Sequence, residues 1–167
     1  MKKQIYLLLG LLFLCMISHA QSYSTHALYI YSFSKHITWP DQESEEYFKI
    51  GVVGESAIVA PLQKMASLKK VNNQIVKIMT FGSVDEIQDC NILFLPLTQS
   101  GNFAKVMEVV GDRSILLITE KDGLGAQGSC INFVMKDKRL MFEINNDAIN
   151  KANLEVAAEL KKFAILL

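Results

Sequence analysis

The sequence has few of the residues that build catalytic and metal sites. It contains 3 cysteines and 3 histidines, and one of each lies in the first twenty residues. The other histidines, His26 and His36, are ten positions apart on one predicted helix, about 15 Å, which is too far to share a metal ion. Neither Cys90 nor Cys130 has a CxxC or Cys-x-His neighbour, and no serine has a nearby base to activate it. We therefore expect no enzyme, no metal site and no cofactor.

An excess of positive charge is also missing. Lys+Arg and Asp+Glu number 17 each, and removing Lys2 and Lys3 with the first twenty residues leaves 15 against 17, a net charge of −2. Nucleic-acid binding favours a strongly basic face, and anionic lipid attracts polybasic segments. We expect neither nucleic acid nor a lipid surface as a partner.

The first twenty residues have the pattern of a secretory signal. Lys2 and Lys3 precede an apolar run over residues 5–17, and Ser18-His19-Ala20 predicts cleavage before Gln21. The run of 13 residues is shorter than the roughly 20 that a membrane-spanning helix needs. No small residue precedes Cys15 as lipid attachment would require. The pattern predicts an exported, periplasmic protein, with residues 21–167 as one soluble domain that does not span the membrane.

Two glycine motifs resemble nucleotide-binding loops but lack the necessary context. Residues 123–128 match G-x-G-x-x-G, a motif that holds a pyrophosphate only between a strand and a helix N-terminus. Here it leads into a predicted strand at Cys130, so we interpret it as a strand-to-strand loop. Residues 51–54 lack a following Gly-Lys-Ser/Thr and predict a tight turn into a helix, with Ser56 as a cap.

The hydrophobic pattern predicts an α/β fold. Helical segments are predicted at 23–38 (ended by Pro40), 57–68, 84–88, 103–110, 147–152 and 154–166. Strands are predicted at 48–54, 74–80, 91–95, 114–119, 130–135 and 139–144. Alternating strands and helices favour parallel pairing. We expect a three-layer sandwich, with a mainly parallel sheet of about six strands, helices on both faces, and an antiparallel hairpin at 130–144 along one side.

The expected position of the two remaining cysteines argues against a disulfide. Export to an oxidising compartment favours one. However, Cys90 begins a central parallel strand, and Cys130 begins a strand that most simply runs the opposite way. Their Cα atoms would then be about 17 Å apart along the strands, beyond the 7 Å or so that a disulfide spans. We expect two free, buried thiols.

Several segments, in order along the chain, resemble the YfiR-like family of exported regulatory proteins. The first runs from Ala27 to Trp39-Pro40, and the second is 50–54, which ends in Gly54. They continue with 90–95 from Cys90, with 128–133, and with 139–145, which contains Phe142 and Asn145. The resemblance covers nearly all of residues 25–167. The resemblance implies structural roles for Trp39, Pro40, Gly54, Cys90, Phe142 and Asn145.

The resemblance implies regulation rather than chemistry. Such proteins are periplasmic and repress an inner-membrane signalling protein by binding its periplasmic sensor part. The partner is a diguanylate cyclase in the named case, and a sensor kinase is another candidate. The resemblance also implies sequestration by an outer-membrane lipoprotein, homodimer formation, and a partner-binding surface that includes Ile131, Glu143 and Ile149. Relatives with disulfides carry more cysteines, which weakens the case for redox control here.

Two alternatives remain open from the residues themselves. Glu143 is either a partner contact or an outward-facing residue on an alternating strand. The protein is either this regulator or a periplasmic small-molecule-binding module. Open α/β sheets bind ligands at the carboxyl ends of their strands, which would here carry Gly54, Glu55, Ser56, Pro96 and the loop 121–128.

Overall fold

The computed structural model describes residues 23–40 and 45–167. The predicted signal peptide, residues 1–20, and its cleavage site before Gln21 lie outside the described residues. Across these two ranges, no helix combines the length and the apolar character needed to cross a bilayer.

Helices and strands alternate through most of the described chain. The helices are α1 (23–36), α2 (Val59–Leu68), α3 (Phe103–Val110), α4 (Asn146–Lys151) and α5 (Ala158–Lys161). The strands are β1 (Ile37–Thr38), β2 (Tyr47–Val53), β3 (Lys70–Val71), β4 (Gln74–Phe81), β5 (Ile92–Leu95), β6 (Leu116–Thr119), β7 (Ile131–Lys136), β8 (Arg139–Ile144), β9 (Glu155–Val156) and β10 (Ile165–Leu166). Two 3-10 helices lie at Val84–Glu86 and Leu97–Asn102.

One main sheet organises the fold, with strand order β10-β8-β7-β6-β5-β2-β4-β3. The strands β4, β2, β5, β6 and β7 are mutually parallel, and β7 and β8 form an antiparallel hairpin. Every residue of β5 and β6 is buried, as expected for parallel strands covered on both faces. The predicted three-layer α/β sandwich is confirmed. The sheet has more strands than the expected six because β3 and β10 are too short to show a sequence pattern.

Aromatic side chains attach α1 to one face of the hairpin. Phe33 is fully buried, and its ring centroid lies 4.9 Å from that of Phe142 and 5.8 Å from that of Phe133. Tyr29 also packs on Phe142, at 5.4 Å. Aromatic rings bury a large apolar area and favour edge-to-face contacts, which explains why α1 and the β7–β8 hairpin carry phenylalanine and tyrosine where they meet.

The helix predicted over residues 154–166 is wrong. This segment contains β9, the short helix α5 and β10 instead. Ile37 pairs with Val156 in the antiparallel β1–β9 ladder, and Ile165 pairs in parallel with Glu143. The long-range backbone hydrogen bonds of these pairs replace the local bonds of a helix, so a local pattern could not reveal them. Since β10 pairs with β8, the edge strand on this side of the sheet is β10 and not a strand of the hairpin.

The predicted direction of the strand after Cys130 is also wrong. β7 runs parallel to β6, with Thr119 opposite Asn132. The glycine-containing loop after β6 turns the chain back so that β7 begins at Ile131, opposite Ile118 of β6. Cys90 and Cys130 therefore precede strands that run in the same direction.

Both cysteines are nevertheless free and buried, as predicted. β6 lies between β5 and β7, so two inter-strand spacings of about 4.8 Å each separate the two starts. That lateral distance alone exceeds the roughly 7 Å that a disulfide spans. Separation across the sheet is therefore sufficient to keep the thiols apart.

The buried thiols should react very slowly in the folded protein. Burial raises the pKa of the Cys90 thiol to about 12 and that of Cys130 to about 11, and the thiolate is the reactive form. We expect little reaction of the chain 21–167 with a thiol reagent at pH 8, and two thiols after denaturation without reductant. Extra thiols that appear only after reduction would contradict this.

Candidate partner-binding site

The structure places the three predicted partner-binding residues in two different environments. Ile131 on β7 and Ile149 on α4 are buried, at 0% and 3% exposure. Glu143 on β8 is half-buried and reaches the surface. The two isoleucines therefore support β7 and α4 from inside the core, and only Glu143 presents its side chain to a partner in this conformation.

A chain of buried polar groups holds the Glu143 carboxylate in place. Asn132 is fully buried, and its Nδ2–H donates to Glu143 Oε2 at 2.9 Å. The Oδ1 atom of Asn132 accepts the Thr119 hydroxyl at 2.7 Å, and Thr119 Oγ1 lies 2.9 Å from Ser129 Oγ. Since a buried polar group without a partner is costly, Asn132 restricts Glu143 to one position.

Sequence reasoning missed Ser129, Thr119 and Asn132. A signal was present, because Asn132 interrupts an otherwise apolar buried strand and Thr119 ends another.

The loop between β6 and β7 packs against the Glu143 carboxylate at Gly125. A Cβ atom placed on Gly125 would lie 2.5 Å from Glu143 Oε2 and 2.9 Å from Leu167 Cδ1. Asn145 fixes this loop, because its Nδ2–H donates to the Gly125 carbonyl at 2.9 Å. The Oδ1 atom of Asn145 accepts the Ala148 N–H and caps α4. The loop, the carboxylate and the start of α4 thus form one connected unit.

Apolar side chains surround the Glu143 carboxylate. Met141 lies two residues earlier on the same face of β8, and Ile165 on β10 pairs with Glu143; both are half-buried. Leu167 is 46% exposed. We call Glu143, Met141, Ile165 and Leu167 the Glu143 surface. One fixed charge within an apolar patch can both bind and specify a protein partner.

Gly125→Ala tests whether this arrangement controls partner binding. The added methyl group would push the Glu143 carboxylate and the end of the Leu167 side chain out of their positions, and it would lie 3.2 Å from Asn132 Cβ, so the Asn132–Glu143 hydrogen bond would be disturbed. We expect a loss of stability within about 2 kcal/mol but a clear loss of partner binding. Thermal melting and co-purification with the partner measure the two effects. Gly101→Ala is the matched control, since nothing lies within 4 Å of its Cβ position; equal effects of both variants on binding would contradict the prediction.

The predicted motif residues Trp39 and Pro40 directly follow β1, which pairs with β9 outside the main sheet. Trp39 is buried, its Nε1–H donates to the Asn91 carbonyl at 3.0 Å, and its ring packs edge-on against Phe48. The same Asn91 accepts the Lys49 N–H through Oδ1 at 2.8 Å. Trp39 therefore connects the end of α1 to β2 and to the start of β5. Pro40 lies in the exposed turn that follows.

The other motif residues lie in the sheet and its turns. Gly54 has φ of +69° and donates its N–H to the Phe81 carbonyl at 2.7 Å, a conformation that favours glycine. Cys90 packs at the start of β5, where its sulfur would lie 3.3 Å from a Cβ on Gly51. Phe142 packs against α1 in the aromatic cluster.

The Gln99 side chain lies in the crevice at the carboxyl ends of β2 and β5, where strand order changes direction. The Gln99 side chain lies 2.6–3.0 Å from the Cβ position of Gly54. The Ser56 Oγ accepts the Ile58 N–H at 3.4 Å within the turn before α2, but the N-cap residue of α2 is Ile58, without a side-chain cap hydrogen bond, so the prediction of Ser56 as the helix cap is wrong. The half-buried Gln99 side chain therefore lies beside Gly54, in the crevice in which an α/β sheet would bind a small ligand.

A second cluster at this edge was not predicted from the sequence. Tyr23 donates its hydroxyl to Glu120 Oε1 at 2.9 Å, and the Leu97 N–H donates to the same oxygen at 2.8 Å. The His26 Nε2 lies 3.6 Å from Glu120 Oε2. Burial and the neighbouring Glu120 carboxylate raise the pKa of Tyr23 to about 12. The cluster attaches the start of α1 to the ends of β5 and β6.

No group of three or more His, Cys, Asp or Glu side chains in the described part of the chain could hold a metal ion. His36 is on the exposed side of α1, where Nδ1 lies 2.8 Å from the Ser32 carbonyl. His26, beside Glu120, and His36, beside Ser32, therefore lie in different environments.

Solved structures resemble this fold at low sequence identity. The ABC domain from Streptococcus pneumoniae, solved with L-Trp, has a TM-score of 0.52 and 11% identity, over 71% of this chain and 55% of its own. A conserved domain protein from Vibrio cholerae O1 biovar El Tor has a TM-score of 0.52 and 10% identity, over 71% and 54%. This chain thus spans about half the length of each, and the likeness concerns the fold alone. No curated protein matched the chain.

The sequence also matches a known family over most of its length. The YfiR/HmsC-like family model matches residues 23–165, which include α1, the whole main-sheet core and the Glu143 surface except for Leu167. The segments that resembled YfiR-like proteins in the sequence all lie within this match. The chain belongs to the YfiR/HmsC-like family.

Proposed function

We propose that this protein is a periplasmic, non-enzymatic regulator that binds and represses the sensor part of an inner-membrane signalling protein. The partner is a diguanylate cyclase or a sensor kinase, and an outer-membrane lipoprotein competes for the regulator. Membership of the YfiR/HmsC-like family supports a periplasmic regulator. The observation that carries the proposal is a single carboxylate, Glu143, fixed by Asn132 within an apolar surface.

Physical reasoning favours a protein partner at the Glu143 surface. Its carboxylate is held by a buried donor, so little side-chain freedom remains to be lost on binding. The apolar neighbours supply area that gains from removal from water. A cationic group on the partner, placed opposite Glu143, would set the orientation of the complex.

Gene deletion and co-purification test the proposal together. We expect the output of the membrane partner, cyclic di-GMP for a cyclase or phosphorylation for a kinase, to rise when the gene is deleted. The purified regulator should retain the periplasmic domain of that partner, and an outer-membrane lipoprotein should release it. If deletion leaves every membrane signalling output unchanged, the repressor function is wrong.

The alternative function, a periplasmic small-molecule-binding module, has weaker support because the Gln99 side chain lies in the crevice where its ligand would bind. Thermal melting with periplasmic metabolites separates the two functions. A metabolite that raises the melting temperature, together with no retention of any membrane protein, would favour the module.

A further inference from the structure

A second apolar surface lies between α1 and α2, on the α1 side of the sheet. We call it the α1–α2 groove; it encloses about 230 Å³ and is lined by Ala27, Leu28, Tyr31, Met65, Leu68 and neighbouring lysines. Leu28 is 65% exposed and Leu68 71% exposed. Large aliphatic side chains so exposed on both sides of one groove are typical of an interaction surface.

Only positive charge borders this groove among the described residues. Lys64 and Lys69 line it, and no aspartate or glutamate does. The sequence segments 23–36 and 57–71 contain four lysines, at positions 35, 64, 69 and 70, and no acidic residue. The whole chain has 17 basic and 17 acidic residues, so the positive charge of these two segments differs from the balanced charge of the chain.

Tyr31 and Met65 form the packed base of the groove, whereas the lysine side chains at its edge are exposed. Tyr31 connects the two sides, because its hydroxyl donates to the Lys70 carbonyl at 3.4 Å and its ring lies 6.0 Å from the Lys69 Nζ atom. Met65 is buried beneath it. Lys64 and Lys69 are exposed, and no ion pair of theirs with a carboxylate occurs in the described ranges, so both ammonium groups can turn toward a bound anion.

We propose that the α1–α2 groove binds the apolar face of an amphipathic helix that carries acidic residues on its flanks. Two adjacent helices with protruding leucines form a groove into which a third helix packs. The lysine rim selects glutamate or aspartate beside that apolar face. A second copy of this chain is a poor occupant, because a two-fold dimer through this face would place lysines against lysines.

This inference is independent of the membrane partner, because the groove and the Glu143 surface lie on opposite faces of the sheet. Two synthetic peptides of about four helical turns provide the probe. Both carry leucines at i, i+3, i+4 and i+7; one carries glutamates on the flanks and the other carries lysines. Fluorescence anisotropy with the purified protein measures the affinity of each peptide.

We expect the glutamate peptide to bind at least tenfold more tightly than the lysine peptide. Leu28→Ser and Leu68→Ser should each weaken its binding about tenfold, whereas Met135→Ser, at a residue 66% exposed on the hairpin, should not. The double variant Lys64→Glu/Lys69→Glu should reverse the preference between the two peptides. These leucines and lysines are exposed, so the variants should melt like the parent protein.

Three results would overturn the inference. The first is equal affinity for both peptides, or affinity that does not respond to Leu68→Ser. The second is binding of laurate, but of neither peptide, that Leu68→Ser abolishes, which would assign the groove to a fatty acid. The third is a dimer of the parent protein that Leu68→Ser dissociates, which would assign it to a second copy.

Discussion

Changing Glu143 to lysine is expected to raise the output of the membrane partner to the level seen on gene deletion. The substitution reverses the one fixed charge of the Glu143 surface. Truncation of a buried interfacial charge pair typically costs about 2–5 kcal/mol, equivalent to at least about thirtyfold in affinity. Affinity for the periplasmic domain of the partner and signalling output in cells measure the effect.

Glu143→Gln is the control that separates charge from folding. Lysine also removes the acceptor of the Asn132 Nδ2–H group, which should cost about 1–3 kcal/mol of stability. Glutamine keeps an oxygen acceptor and loses only the charge, so it should melt like the parent protein and still bind more weakly. Glu108→Lys, at an exposed position on α3, should change neither property. If Glu143→Gln binds normally, Glu143 is a structural residue and not a contact.

Replacing Phe33 with alanine is expected to lower the free energy of unfolding by about 3–5 kcal/mol. Phe33 is fully buried and contacts the rings of Phe133 and Phe142, so its removal leaves a cavity between α1 and the hairpin. Denaturant unfolding measures the loss. Phe163→Ala is the matched control, because Phe163 is 71% exposed. A loss below about 1 kcal/mol at Phe33 would mean that α1 is not part of the cooperative core.

The sequence predicted the central layers of the fold because their patterns are local. The four-residue strands β5 and β6 are buried at every position and are apolar except for Thr119 at the end of β6, so their composition alone indicates parallel strands. β9 and β10 have two residues each, too few for a period, and each depends on a partner distant in sequence. The direction of β7 depended on the path of a loop, which composition does not specify.

The candidate site was predictable only in part for a similar physical reason. Glu143 lies in an alternating strand, where an acidic residue is conspicuous. Its restraint comes from Asn132, Thr119 and Ser129, which a one-dimensional pattern places on separate segments. The α1–α2 groove was not predicted either, because Leu28 and Leu68 each fit an ordinary amphipathic helix, and only the packing of the two helices places them side by side.

The contacts of α1 have a consequence for the order of folding. Phe33 of α1 packs on Phe133 and Phe142, and Ile37 in the adjoining strand β1 pairs with Val156, so the first described helix and the strand after it depend on residues about a hundred positions later. Contacts of such long range slow folding, and a chain that emerges N-terminus first exposes unpaired apolar surface meanwhile. During biosynthesis the apolar face of α1 therefore has no docking surface until the hairpin has emerged, and we expect a chaperone that binds this helix in the meantime to raise the yield of folded protein.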